Sequence, residues 1–563
     1  TIEFGGVPVA YFPYFSAPDT TVTRKSGFLN PVYSIGTALG QGLSLPYFYA
    51  LAPDRDFTIT PTYYSRQGLL MQGEWRQKVG KGNYSISGAF ISQSDPNAFL
   101  EYPNGGGTEL RGYVETVGNI PISNRWRWGW DLAYVSDKWF YQNYRIDTPS
   151  VTQLGTIKRE STSTAFLRGE DTNSFFEARS YYFQTLLNDD NQTHQPLILP
   201  VIDYDRRFHP QGGFGGEVQL TANLTNLSRL EADFGTLQNS CANPIPKNCF
   251  MRGIGGDYSR YTTEVGWRRS FIDPIGQSWT PFASVRGDAA FTTLFTNGDV
   301  NSQQDKFLSA SEEGITRAMG TLGMTYRYPF VAASSFGSNI VEPIVQVISR
   351  PNETNIGNLP NEDSQSLVFD DTNLFSVDKY SGYDRVEGGT RANVGAQYTL
   401  ALANGARANM LVGQSVQLAG QNSFAQHGLA LEGSDSGLDK TVSDYVSRLQ
   451  YVPNSNYSFT ARGRFDPDGY QSRRFEFENK AVFGPNTVYA NYAPQPNAGI
   501  TKRREGLGVG ASYELTSRWK LSGNTLFALT RYLENPNLPR DYLAAYSAGL
   551  TYLDECTEFS VSY

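Results

Sequence analysis

The sequence predicts an all-β chain: a large antiparallel transmembrane β-barrel with one face in lipid and the other around water. Three observations carry that reading. Apolar and polar residues alternate at period two in segment after segment, which puts i, i+2 and i+4 on one face of a strand. Short turns are interspersed with long polar stretches. Aromatic residues reach 14%, with 35 Tyr and 34 Phe among 563 residues, yet mean hydropathy is only −0.42. No run of about 18 apolar residues occurs, so no transmembrane helix is expected. The aromatic content argues against disorder. A net charge of −8, from 47 basic and 55 acidic residues, leaves no basic footprint for nucleic acid.

The first strands come from SGFLNPVYSIGTALGQGLSLPYFYALAPDRDFTITP, residues 26–61. Strand one is predicted at about Val32–Gly40 and strand two at about Leu43–Leu51. Both are poor strands, with Pro31 and Pro46 bracketing Gly36, Gly40 and Gly42. Proline cannot donate to a ladder and glycine weakens one, so the segment suits an edge or a seam. Each glycine costs about 0.5–1 kcal/mol relative to Ala, and each lost ladder bond about 0.5–1.5 kcal/mol net where water substitutes. Together these let one seam unzip without unfolding a barrel. On the residues alone a plainer reading stays open, in which Pro31 starts a strand and Pro46 sits at a bulge.

Later strands are cleaner. In WRWGWDLAY, Trp126, Trp128, Trp130, Leu132 and Tyr134 share one face, against Arg127, Gly129, Asp131 and Ala133. NYSFTARGRF (456–465) and RFEFENKAVF (474–483) repeat the scheme, as do LGVGASY (507–513) and WKLSGNTLF (519–527). Turns are expected at RQG (66–68), GKGN (80–83), DTN (171–173), NG (404–405), PNSN (453–456) and GPN (484–486). Long polar stretches fall at 93–109, 141–158, 188–213, 237–257, 298–314, 351–388 and 419–439. Short turns at one end and long loops at the other mark an outer-membrane barrel, and about 25 strand candidates lie within the known range. A propeller would repeat every 40–50 residues or so, and no such repeat is present.

Cys241 and Cys249 enclose ANPIPKN, a loop that a local disulfide would close in an oxidising compartment. Cys556 is left over, which suggests a partner cysteine outside this chain. The chain opens on TIEFGGVPVAYFPYF with no signal peptide, and reads as a mature fragment trimmed at the front. Catalysis is not expected, because His194, His209 and His427 lie in loops without a nucleophile motif. Glu362, Asp363, Asp370 and Asp371 offer oxygen ligands but lack EF-hand spacing, so a solvated loop is expected there, with no metal or cofactor. The nearby DRVEGG, with Asp384, Arg385 and Glu387, has an inward fold as a second option.

Several stretches together resemble the lipopolysaccharide-assembly outer-membrane family LptD. GVPVAYFPYFSAP followed by RKSGFLNP is similar to the end of that family's periplasmic jellyroll and its entry into strand one. LPYFYALAPDRDFTITPTYYSRQGLLMQGEWR resembles its first hairpins, LFSVDKYSGYDRVEGGTRANVGAQY (374–398) an internal motif, and RLQYVPNSNYSFTARGRFD its late hairpins. The resemblance implies residues 1–25 as the jellyroll's tail and connector. Residues 26–563 would be an outer-membrane barrel of about 26 strands, possibly truncated at the C-terminus. It implies insertion of lipopolysaccharide into the outer leaflet through a lateral gate between first and last strands. Pro31 and Pro46 match the family's seam prolines, and Gly36, Thr37, Gly40 and Gly42 lie in the same gate stretch. Implied partners are an LptE-like lipoprotein plug, for which Asp384, Arg385 and Glu387 are candidate contacts if that loop folds inward, and a periplasmic bridge protein delivering lipid to the jellyroll. Family members often carry two adjacent C-terminal cysteines bonded to the N-terminal region. Only Cys556 lies there in this chain, as a candidate for such an interdomain disulfide, and Cys241–Cys249 falls outside the pattern. A porin or nutrient channel of the outer membrane is the alternative.

Overall fold

The computed structural model describes residues 2–4, 7–10, 24–99, 107–154, 157–188, 190–213, 215–236, 249–308, 314–365, 367–426, 428–430, 433, 435–495, 504–529, 543–555 and 558–562. Nearly all of this is antiparallel β-sheet, 25–30 strands of it, in the fold class of a large β-barrel. No helix is long and apolar enough to cross a membrane.

The strands are inverted relative to a water-soluble protein. In Gly256–Arg268, Arg260 is 1% exposed whereas the adjacent Tyr261 is 50% exposed. In Gly314–Arg327, Arg317, Met319 and Thr321 are buried while Leu322 and Met324 face out. Trp128, Leu132 and Tyr134 are exposed and Ala133 and Val135 buried, on the faces the alternation predicts. Polar inward and apolar outward is what a strand needs when its outer face meets hydrocarbon.

The chain divides into two compact units, residues 1–169 with 179–192, and residues 170–178 with 193–563. In the first, β1 (Ile2–Phe4) and β2 (Val7–Ala10) form a separate two-stranded sheet. Then come β3 (Gly27–Phe28), β4 (Val32–Gly36), β5 (Gly40–Ser44), β6 (Tyr47–Ala52), β7 (Arg55–Tyr64), β8 (Gly68–Val79) and β9 (Gly82–Ser92). β10 (Leu110–Pro121) and β11 (Trp126–Val135) continue the sheet, and a single helical turn, α1 (Phe140–Asn143), follows.

The first hairpin differs from the expected one. Strand one stops at Gly36, a turn occupies Thr37–Leu39, and Gly40 opens strand two. Thr37 is therefore a turn residue. The reason is local: Gly40 sits at φ +76°, a conformation that glycine adopts without strain and that ends a strand run. The turn at 65–67 also moves ends. Arg66 Nη1 donates to Thr37 O at 2.9 Å and Gln67 Nε2 to Asp95 O at 3.0 Å, which places RQG among the long loops rather than with the other short turns.

In the second unit, antiparallel ladders link Leu197–Phe208 through successive strands to Leu543–Leu553 and Glu558–Ser562. Between Gly337–Ser349 and Thr390–Leu402 runs a forty-residue connection, 350–389. Phe369 and Leu374 in it pack with Phe424, Leu438 and Val446 in one buried apolar cluster.

Candidate functional site

Two arrangements stand out, one in each unit. The first is the hairpin β3–β6. β3 pairs with β6 through Gly27↔Phe48 and Phe28↔Tyr47, and β4 pairs with β5 from Val32↔Ser44 to Gly36↔Gly40. Between these ladders Leu29–Pro31 face Leu45–Pro46, three residues against two, so the register slips by one. That is a bulge, and both prolines are in it. Two of the remaining amides are used: Leu29 N donates to Pro46 O at 2.9 Å and Leu45 N to Pro61 O at 3.1 Å. Among the described residues β4 has one ladder partner, β5. Glu558–Ser562 likewise has one, Leu543–Leu553.

Gly40 and Gly42 are more than weak links. A Cβ on Gly42 would run into Ser34 Oγ and the Tyr64 ring, and one on Gly40 into Ser65 Oγ. Gly36 has no such close neighbour. At the start of the hairpin, Arg24 Nη1 donates to Ala52 O at 2.7 Å and the guanidinium pairs with Asp56.

The second arrangement is the 350–389 connection, whose segment 384–389 is wholly buried. Asp384 is its centre. One carboxylate oxygen accepts from Tyr258 OH at 2.7 Å and from Arg260; the other accepts from Glu362 N at 2.6 Å and Asp363 N at 3.1 Å. Burial alone would push the Asp384 carboxyl up, but Arg260, Tyr258 and the backbone donors outweigh it and hold it below the usual carboxylate range. Arg260 also meets Asp363 at 2.9 Å. Arg317 pairs with its cross-strand neighbour Asp288 at 2.8 Å, with Glu353 at 3.1 Å, and donates to Tyr383 O and Asp384 O. Glu362 accepts a two-pronged bond from Arg229 at 3.0 and 2.7 Å. Glu387 lies within 4 Å of Arg350, Lys379 and Arg391. Arg385 Nη1 reaches Leu359 O at 3.0 Å.

For Glu362 and Asp371 this overturns the solvated loop expected for the acidic run, whereas Asp363 stays exposed. Glu362 and Asp371 side chains are 5% and 0% exposed, and their partners are arginines on strands, Arg448 and Arg462 in the case of Asp371. Among the described residues no group of three or more His, Cys, Asp or Glu side chains is placed to hold a metal ion.

A family model described as "LptD: LPS transport system D" matches residues 109–519. The chain belongs to the LptD family. Similar proteins include the LPS-assembly protein LptD of Pseudomonas fluorescens, 23% identical over 93% of this chain and 56% of that protein. That of Hahella chejuensis is 26% identical over 100% of this chain and 64% of that protein, and that of Vibrio cholerae 25% over 100% and 67%. The chain thus spans little more than half the length of its Pseudomonas relatives.

In this LptD chain, Pro31 and Pro46 are brought together in one bulge, while Thr37 and Gly40 lie at the hairpin's tip and Gly42 faces Ser34 within the β4–β5 ladder. Asp384, Arg385 and Glu387 are occupied by the chain's own groups and buried, at 0%, 0% and 2% exposure. Cys249 is disulfide-bonded. Cys241, Cys556 and His427 lie outside the described residues. His194 sits 3.8 Å from Glu231 and 3.7 Å from Asp233, and His209 3.6 Å from Glu217. The strand arginines Arg229, Arg260, Arg286 and Arg317 escaped the sequence reading. The available signal was charge on the polar side of otherwise apolar strands, as in Arg286-Gly-Asp288.

Proposed function

We propose that this LptD chain is the barrel of an outer-membrane translocon that inserts lipopolysaccharide into the outer leaflet. It works through a lateral gate between the barrel's first strand, β4, and its last. The observation that carries the reading is the bulge at Pro31 and Pro46, which interrupts the first hairpin of a chain whose family is a lipopolysaccharide transport system. Moving sideways, acyl chains pass directly into hydrocarbon, each buried CH₂ being worth about 0.8 kcal/mol. The sugar follows the polar inner face. No bond chemistry is required of the chain.

The proposal includes an LptE-like lipoprotein plug, a periplasmic bridge protein reaching an N-terminal jellyroll, and a periplasmic N-terminal part. It also includes Cys241 as partner of Cys249, and Cys556 bonded to a cysteine outside this chain. Because Asp384, Arg385 and Glu387 anchor the 350–389 connection internally, their contribution to a plug contact is to shape that connection. Its packing against the polar strand face favours the translocon over a porin, which needs an open bore.

A photo-crosslinking residue at Ile35, on the exposed side of β4, tests this directly. Lipopolysaccharide adducts are expected at Ile35 and not at Val285, an equally exposed position on Ser278–Leu294. Equal labelling at both would count against a gate.

A further inference from the structure

The tip of the proline-broken hairpin is fastened from outside the hairpin. Leu39, in the turn, is 8% exposed and belongs to a buried cluster with Tyr64, Phe99, Phe140 and Tyr144. Tyr144 packs on Tyr64 at 5.9 Å between ring centroids, and Tyr64 in turn covers the bare Cα of Gly42. The segment that supplies Phe140 and Tyr144 is pinned by Arg111, a fully buried cation on β10. Its guanidinium holds Asp137 in a two-pronged pair at 2.8 and 2.7 Å, meets Asn143 Oδ1 at 2.9 Å, and lies 5.3–5.6 Å from the Phe99, Phe140 and Tyr144 rings. Polar ties reinforce the tip. Gln67 Nε2 donates to Ala38 O at 2.8 Å, and Arg66 joins Thr37 O to Asp95.

A hairpin held this firmly at its tip and broken in mid-strand cannot leave as a rigid unit. It bends where its ladder is interrupted. We propose that residues 136–146, clamped by Arg111, are a latch on the gate hairpin. The latch keeps β4 and β5 in place at the long-loop end and makes the Pro31/Pro46 bulge the hinge of opening. This rests on the gate reading above and adds its control.

The test uses two variants of the full-length protein in outer-membrane vesicles, Leu39→Ala and Arg111→Met, read by amide hydrogen exchange. Leu39→Ala removes only the knob from the cluster, and it decides the matter should Arg111→Met fail to assemble. Exchange at Val32–Gly36 and Gly40–Ser44 is expected to rise by about tenfold or more, with Gly256–Arg268 unchanged. Unchanged exchange in β4 and β5, with α1 amides loosened, overturns the latch. Exchange reports the latch without lipid. A raised rate in a chain whose seam proves irrelevant to lipid delivery would therefore leave the latch standing and remove the gate.

Discussion

Asp384 shows how a single residue organises the second unit. It is fully buried and accepts from Tyr258, Arg260 and two backbone amides, so its removal strips the buried Arg260 of its fully buried carboxylate and leaves it Asp363 at 2.9 Å. Breaking one partner of such a pair costs roughly 3–5 kcal/mol. Asp384→Ala is expected to lower the temperature at which the folded barrel loses its compact gel mobility and to expose 350–389 to protease. Unchanged protection would show that the connection is held by its apolar contacts alone. A second residue gives a pH signature. Asp466, bonded by Arg473 and by the Asp468 and Gly469 amides, has its pKa lowered to about 2. A depressed carboxylate contributes stability that is full above its unfolded pKa, near 4, and lost as pH falls through the folded one. The 466–471 loop should therefore keep its order at pH 3, and Asp466→Asn should abolish any change in that loop between pH 4 and pH 2.

At the scale of the element, the first hairpin is a ladder in two pieces. Replacing both prolines, Pro31→Ala with Pro46→Ala, offers the ladder two new N–H donors, worth about 0.5–1.5 kcal/mol each. Exchange across 27–52 should slow by about tenfold, with lipopolysaccharide delivery falling alongside. Slower exchange with undiminished delivery would separate the bulge from function. The bulge was partly legible in the sequence, because proline's missing donor acts locally whatever the fold. The turn was misplaced since alternation continues through Thr37–Gly40, and only the backbone at Gly40 reveals where the chain reverses. Trp128, Leu132 and Tyr134 fell on the expected face because period two needs no partner. The 350–389 connection was illegible for the opposite reason: Asp384 lies 126 residues from Tyr258, and Glu362 133 from Arg229. Composition made that stretch look solvated, whereas pairing with distant strand arginines buries it.

Across the described strands, polar residues turned inward and apolar residues turned outward fit a membrane barrel, and the family to which the chain belongs is described as an LPS transport system. What links fold to transport is the claim that the β4 edge and the terminal strand part to release lipid. A reducible staple tests that claim most directly. Cysteine placed at Ser34 is paired in turn with cysteine at each position along the barrel's last strand, and lipopolysaccharide arrival at the cell surface is measured before and after reductant. At least one pair should cross-link, halt delivery, and restore it on reduction. Quantitative cross-linking with delivery unimpaired would contradict the account.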